Sequence, residues 1–344
     1  MPYRIFFTGN FLMSALVQTL VRILADGQYH SGTRLGDVLG ISRAAVWKHI
    51  DKLSELDLEV HSVRGKGYRL AHPLDLLDET SINGELGGHT GRVQQLDILQ
   101  TVDSSNAHVM RLLQEGGIKL QADKYAVCLA ERQTSGKGRR GRSWASPFGR
   151  NLYLTLAREF DTAAMKTDGI SLVVGMALIR ALAALGISGI GIKWPNDLLW
   201  QDRKLAGILL EISGDITGIC QLVIGIGVNV HCRPEDMSGV TQPWTDLQQV
   251  TGNATGRNVL AGAVIAHVMD ALQEFEAGGL EAFMAEWQAN DIMRDRQVEL
   301  ITPGGSRTGR ACGISPSGAL LLEDSNGVQA FNGGEISLRG VTAS

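Results

Sequence analysis

Five apolar runs of about strand length lie between residues 125 and 230, at 125–130, 151–156, 189–193, 205–212 and 220–230, with helical stretches at 169–185 and 259–275. Short apolar runs bounded by Gly, Pro or Asn read as strands, and longer apolar stretches as buried helices. A chain of this kind has to lay helices against a sheet, so an α+β or α/β body is expected to begin at His72-Pro73 and to end near residue 293. After Arg294 the composition changes. Short β-rich pieces at 297–301, 309–313, 319–323 and 327–331, separated by Gly, Pro and Ser, predict a small antiparallel barrel over 294–344. A length of 344 residues suits two or three domains with a sizeable core, and no apolar run reaches membrane-spanning length.

A different pattern precedes the body. Leu16, Leu20 and Leu24 give one helical face, Leu35, Val38 and Leu39 a second, and Val46, Ile50 and Leu53 a third, opened by Ser42 as a ready N-cap. Residues 60–70 then read as strand, glycine turn, strand. Three helices and a basic hairpin over 14–72 are the winged helix-turn-helix plan. Residues 1–72 hold 9 Lys+Arg against 6 Asp+Glu, whereas the rest of the chain is acidic. Arg43, Trp47 and Lys48 fall on the exposed side of the third helix, and Arg64 and Lys66 on the wing. Operator DNA is the expected partner: the wing neutralises phosphates, and Arg43 and Lys48 reach base edges. A winged helix used for protein contacts is the alternative. The apolar opening through Met13 has a single Arg and no small-residue cleavage site, so 1–13 is read as an irregular extension rather than a signal peptide. Four scattered cysteines without a C-x-x-C fit a reducing cytoplasm and no structural zinc.

Residues 136–150, GKGRRGRSWASPFGR, put Lys137, Arg139, Arg140 and Arg142 among three glycines. Glycines let backbone N–H groups approach a ligand, and Arg forks match carboxylates and phosphates. A mobile cationic loop of this kind is suited to closing over an anion, the plain alternative being a solvated surface loop. Gly136, Gly138 and Gly141 satisfy the dinucleotide pattern G-x-G-x-x-G, but the Gly, Ser and Pro that follow stand where that pattern needs a helix. No phosphate-binding G-x-x-x-x-G-K-[ST] occurs. Three more polar pieces sit at strand ends: Asp103–Asn106, Lys193–Asp197 and Asp202–Gly207. Each alone reads as a turn; with the loop they form a set.

The loop, K-W-P-N-D-L (193–198), D-R-K-L-A-G-I-L (202–209) and G-G-E-I-S-L-R (333–339) resemble the bacterial bifunctional biotin–protein ligases and biotin operon repressors, over roughly residues 15–340. The resemblance implies an α+β multidomain fold: a winged helix, a central mixed sheet with helices similar to class II aminoacyl-tRNA synthetases, and an SH3-like C-terminal β-barrel. It implies that Ser104, Ser105, Asn106 and Gln133 contact the biotin ring system, and that Lys137, Gly138 and Arg139 order over biotin and its adenylate. Lys204 would meet the biotin carboxylate, Trp144 the adenine, and Asn196 and Asp197 the nucleotide phosphates, with Mg²⁺ near Asp197 through water. The chain departs from the family at 137, Lys for the usual Arg, and at 105, Ser for the common Thr.

The implied chemistry joins a carboxylate to the α-phosphate of ATP. Lys204 and Arg139 offset that repulsion, each by up to about 4 kcal/mol at roughly 4 Å and an effective dielectric of ~20. Asp197 completes the catalytic set. The resulting mixed anhydride passes to a lysine of the biotin carboxyl carrier protein of acetyl-CoA carboxylase, and the adenylate-bound form is expected to be a cytoplasmic, DNA-binding homodimer with no membrane partner. The alternatives are a non-catalytic biotin-sensing transcription factor and a lipoate-type ligase.

Overall fold

The computed structural model describes residues 13–161, 169–214, 219–302, 305–333 and 337–340. The irregular extension, Met13 apart, lies outside them. The N-terminal unit follows from its caps and apolar spacing. Helices α1 (Ala15–Leu24), α2 (Gly32–Leu39) and α3 (Arg43–Asp51) start at Ser14, Ser31 and Ser42, each of whose hydroxyls accepts a backbone N–H three residues on. Gly40 closes α2 in the left-handed region. Leu20, Val21, Leu24, Leu35, Val46 and Leu53 are fully buried between the helices, and each is worth roughly 1.5–3 kcal/mol relative to exposure. Strands β1 (Val60–Val63) and β2 (Gly67–Leu70) form the hairpin, with Val60 opposite Leu70 and Val63 opposite Gly67. At Gly67 a Cβ would lie 2.0 Å from the His30 carbonyl oxygen, so only glycine closes the wing. Phe148 and Leu74 join this core from outside, which seats the unit on the segment that follows the glycine loop.

The body opens with α4 (Glu79–Leu86). Its seven strands are β3 (Val93–Leu99), β4 (Tyr125–Ala130), β5 (Leu152–Asp161), β6 (Gly191–Lys193), β7 (Asp197–Trp200), β8 (Arg203–Gly214) and β9 (Ile219–Val228). They lie in the order β3-β4-β5-β9-β8-β7-β6, parallel only between β3 and β4. This is the expected mixed sheet. Alternation along β5 separates its faces: Leu152, Leu154 and Leu156 face the main core, with α6 (Ile170–Ala184) and α8 (Arg257–Gly278), while Ala157 joins Ala126, Cys128 and Val223 under α5 (Ser105–Gln114). Helices α7 (Leu247–Thr251) and α9 (Met284–Asn290) complete the body.

The C-terminal segment forms an antiparallel sheet of β10 (Gln297–Thr302), β11 (Gly305–Ile314), β12 (Leu320–Asp324), β13 (Gly327–Phe331) and β14 (Ser337–Gly340), in the order β13-β12-β11-β10-β14. Val298, Leu300, Ala311, Leu320 and Leu338 run into the main core rather than forming one of their own. No helix among the described residues is long and apolar enough to cross a membrane.

Every run read as a strand contains one. The missed elements are α4, α5, α7, α9, β7 and β14. Helix α5 escaped because its first turn is Ser-Asn-Ala: a polar cluster read as a turn is an N-cap, with the Ser104 hydroxyl accepting from Ala107 N–H. Strand β7 is four residues long and follows β6 through the cis Trp194–Pro195 turn.

Candidate functional site

Strands β8 and β9 bring Gly207, Gly225 and Gly227 to the sheet face that carries α5. Glycine is required there by close approach: a Cβ on Gly227 would sit 2.5 Å from the Trp144 indole, and one on Gly225 would sit 2.4 Å from Asn106 Oδ1. The missing side chains leave a hollow of about 50 Å³, walled by Ser104, Ser105, Asn106, Gln133, Trp144 and Lys204. Trp144 lies across its floor with the indole N–H buried and meeting no acceptor among the described residues.

The wall is a network of satisfied polar groups. Ser104, Ser105 and Asn106 are all at most 5% exposed. Gln133 Oε1 accepts the Ser105 N–H at 2.8 Å and lies 3.1 Å from the Ser105 hydroxyl, while Gln133 Nε2 donates to Ser146 at 3.0 Å. Asn106 Nδ2 donates to Glu211 at 2.8 Å, and the buried Thr155 hydroxyl lies 2.7 Å from Asn106 Oδ1. Asp103, just before the wall, is gripped by Arg111 at 2.7 and 2.8 Å, which holds its carboxyl down at about 2.

Beside the hollow opens a cleft of about 1140 Å³ between the loop, the 193–197 turn, residues 237–244 and the C-terminal segment. Lys204 Nζ lies 2.7 Å from Asp197 Oδ1 and 5.3 Å from the Trp144 ring centroid. Arg139 donates to Asn196 Oδ1 and to the Gly333 carbonyl, both at 2.9 Å. Burial draws its guanidinium below the usual arginine value, against the pull of Asp197. Gly138, Arg139, Trp144, Asn196 and Lys204 line both spaces. An anion extending from the hollow would therefore meet one from the cleft at Lys204. Lys137 is exposed at the mouth of the hollow. A shallow polar depression on the C-terminal sheet, near Arg310 and Glu323, contains none of the predicted residues.

No three His, Cys, Asp or Glu side chains converge on a metal position among the described residues. Asp197 and Asp202 are the carboxylates lining the cleft, and Asp202 pairs with Arg296 at 2.7 Å. Asp197 is likewise paired through Oδ1 with Lys204, so the cleft offers Mg²⁺ at most one or two carboxylate oxygens, which suits an ion held mainly by phosphate oxygens and water.

On the N-terminal unit Arg43, Trp47, Lys48, Arg64 and Lys66 are all exposed, with Trp47 at 58%. Tyr29, which composition gave no reason to select, stands between the wing cations, 5.8 Å from Lys66 and 5.2 Å from Arg69. Thr155, Glu211 and the three floor glycines were likewise missed. Only the β9 glycines carry a signal, as small residues at alternate positions, Gly225 and Gly227, inside an otherwise apolar strand.

Three family models match the chain: an HTH domain over residues 17–69, the biotin/lipoate A/B protein ligase family over 101–229 and the biotin protein ligase C-terminal domain over 295–339. The chain is 41% identical to the bifunctional ligase/repressor BirA of Escherichia coli over 320 residues, 93% of this chain and 96% of the relative. It is 29% identical to the protein of the same name from Bacillus subtilis, over 95% of this chain and 100% of the relative. Among solved structures, a biotin protein ligase from Aquifex aeolicus in complex with biotin and ATP matches with a TM-score of 0.62 and 28% identity, covering 72% of this chain and 100% of the other.

Proposed function

The chain belongs to the family of bifunctional biotin ligases and repressors, and we propose on that premise how its residues divide the work. It is a biotin ligase with a helix-turn-helix repressor domain. The observation that carries the division of labour is the shared lining: Lys204 borders both the glycine-floored hollow and the larger cleft. Biotin occupies the hollow with its rings toward Ser104, Ser105, Asn106 and Gln133, and its carboxylate at Lys204. The cleft takes ATP, with Trp144 swinging off the glycine floor to stack on adenine, and Asn196 and Asp197 at the phosphates. Asp197 would help hold Mg²⁺ in the cleft, where the ion would supply positive charge to the triphosphate.

The biotin carboxylate oxygen attacks the α-phosphorus, the bond to the bridging oxygen breaks, and pyrophosphate leaves. Lys204 is held 2.7 Å from Asp197 before substrate arrives, so its ammonium is already in place where the two anions meet. Arg139, fixed by Asn196 and Gly333, adds a second positive charge from the loop. Lys137 and Gly138 close over the product and keep water from the mixed anhydride. The ε-amine of a lysine on the biotin carboxyl carrier protein then attacks the acyl carbon and AMP departs. None of these steps needs a covalent intermediate on the protein.

The division at about 72 and 293, the class II synthetase-like description of the body and the SH3-like description of the C-terminal sheet belong to this same reading, as does a cytoplasmic setting. So does a homodimer. Beyond Ile208 no described strand pairs with the outer edge of β8, where Ile212 is 41% exposed, and a second copy can extend the sheet there. Ordering the loop over its ligand would favour the dimer, whose two winged helices then read a two-half-site operator.

Incubation with biotin, ATP, Mg²⁺ and the carrier protein tests the reading. Labelled carrier and released pyrophosphate are expected. Binding of biotin without transfer would leave a sensor in place of an enzyme, and preferred transfer of lipoate would reassign the hollow.

A further inference from the structure

Resting on the reading of the hollow as the biotin site, we infer that Glu211 is a positioning residue that fixes how the hollow presents Ser105. Glu211 is absent from the lining and acts through a hydrogen-bonded chain. Its Oε2 accepts from Asn106 Nδ2 at 2.8 Å. Thr155 Oγ1 lies 2.7 Å from Asn106 Oδ1 and 2.8 Å from Ser105 Oγ. A carboxylate only accepts, so the Asn106 amide turns its NH₂ to Glu211 and its oxygen to Thr155. The single Thr155 proton is then committed to Asn106, and the Thr155 oxygen can only accept from Ser105.

The Ser105 proton has two destinations, Thr155 Oγ1 or Gln133 Oε1 at 3.1 Å. Whichever it takes, Ser105 meets the hollow with lone pairs alone. The group received there has to be a donor, which the ureido N–H groups of biotin are and its thioether and carboxylate are not. Asn106 and Thr155 are 3% and 0% exposed, while Glu211 is half-buried at the end of the chain. Gly225 keeps the strand backbone close enough to Asn106 to stop the amide retreating. Loss of the Glu211 carboxylate leaves the amide nitrogen only the longer contact, 3.5 Å to the Leu209 carbonyl, and loosens the Ser105 hydroxyl behind it.

The test is isothermal titration of the full chain with biotin, without ATP, beside steady-state kinetics in ATP. Glu211→Ala should raise the biotin Kd about tenfold, as expected when a charge-assisted bond to a buried amide is exchanged for a weak one to the Leu209 carbonyl. The KM for ATP should stay within about twofold, since the chain ends at Ser105 and Gln133. Glu211→Gln keeps an acceptor oxygen and should restore biotin binding to within about threefold of the parent. Thr155→Val breaks the same chain from β5 and should show the same split between biotin and ATP, which covers the case where Glu211→Ala does not fold. An unchanged biotin Kd in Glu211→Ala and Thr155→Val, equal losses for biotin and ATP, or a Gln variant as weak as the Ala variant would overturn the role. If the parent chain itself binds no biotin, the reading of the hollow fails first.

Discussion

Lys204 and Lys66 both lie near an aromatic ring, Trp144 and Tyr29, at 5.3 and 5.8 Å, yet their surroundings divide the molecule in two. The Lys204 side chain is 20% exposed and 2.7 Å from Asp197. Lys66 stands on an exposed wing among Arg64 and Arg69. In the cleft a charge is placed, partnered and shielded from water before any ligand arrives, so under the proposed reading a single residue would carry a large share of the chemistry. On the wing the charges are spread and screened, and each contributes a small part of a sum. The same residue type serves precise positioning at one end and cumulative attraction at the other.

The sharpest way to break this contrast is Lys204→Ala. Loss of about 3–4 kcal/mol at the reacting anions corresponds to a fall on the order of 10²–10³ in the rate of anhydride formation, read by pyrophosphate release under single-turnover conditions. Operator affinity of the unliganded chain should not move. A fall under about fivefold would place the cationic burden elsewhere, with Arg139 the next to test.

The wing predicts the opposite pattern. Arg64→Ala with Lys66→Ala should weaken DNA binding several-fold, equally for specific and nonspecific duplexes, and reduce the salt dependence of log K by about two in slope. Carrier labelling should be unaffected. Sequence-selective losses from the wing pair would mean that it reads bases, and the line between the two regions would need redrawing.

The two regions also differed in how far the sequence disclosed them. The winged helix was legible because its signals are local: Ser42 before a periodic helix, Gly40 after one, a glycine turn between basic strands. The apolar runs gave the sheet for the same reason. Lys204, Asp197 and Arg139 could be singled out by motif, but not that Asp197 and Lys204 pair across β7 and β8, or that Arg139 reaches Gly333, 194 residues away. Thr155 and Glu211 stand in strands as ordinary sheet residues. Their meaning comes from pleat and register, which put β5, β8 and α5 around one amide, and nothing within a few residues of either announces it. Likewise Ser104–Asn106 read as a turn because a helix cap and a turn use the same hydrogen bonds.

Asp103 and Arg111 lie between the two extremes, paired as in the cleft but with side chains 45% and 44% exposed. The Arg111 fork holds the Asp103 carboxyl at about 2 in the folded chain, below its ordinary value near 4. A carboxylate depressed by folding binds its proton more readily once unfolded, so the pair's contribution is complete above about pH 4 and is lost as pH falls toward 2. Water screens a pair this exposed, so the contribution should be under about 1 kcal/mol. Melting the parent chain and Arg111→Ala across pH 2–7 measures it: the gap in Tm should be constant from pH 7 to about 4 and close below that. A gap that persists unchanged to pH 2 would show that Arg111 stabilises the start of α5 by packing, and would place this pair with the exposed wing.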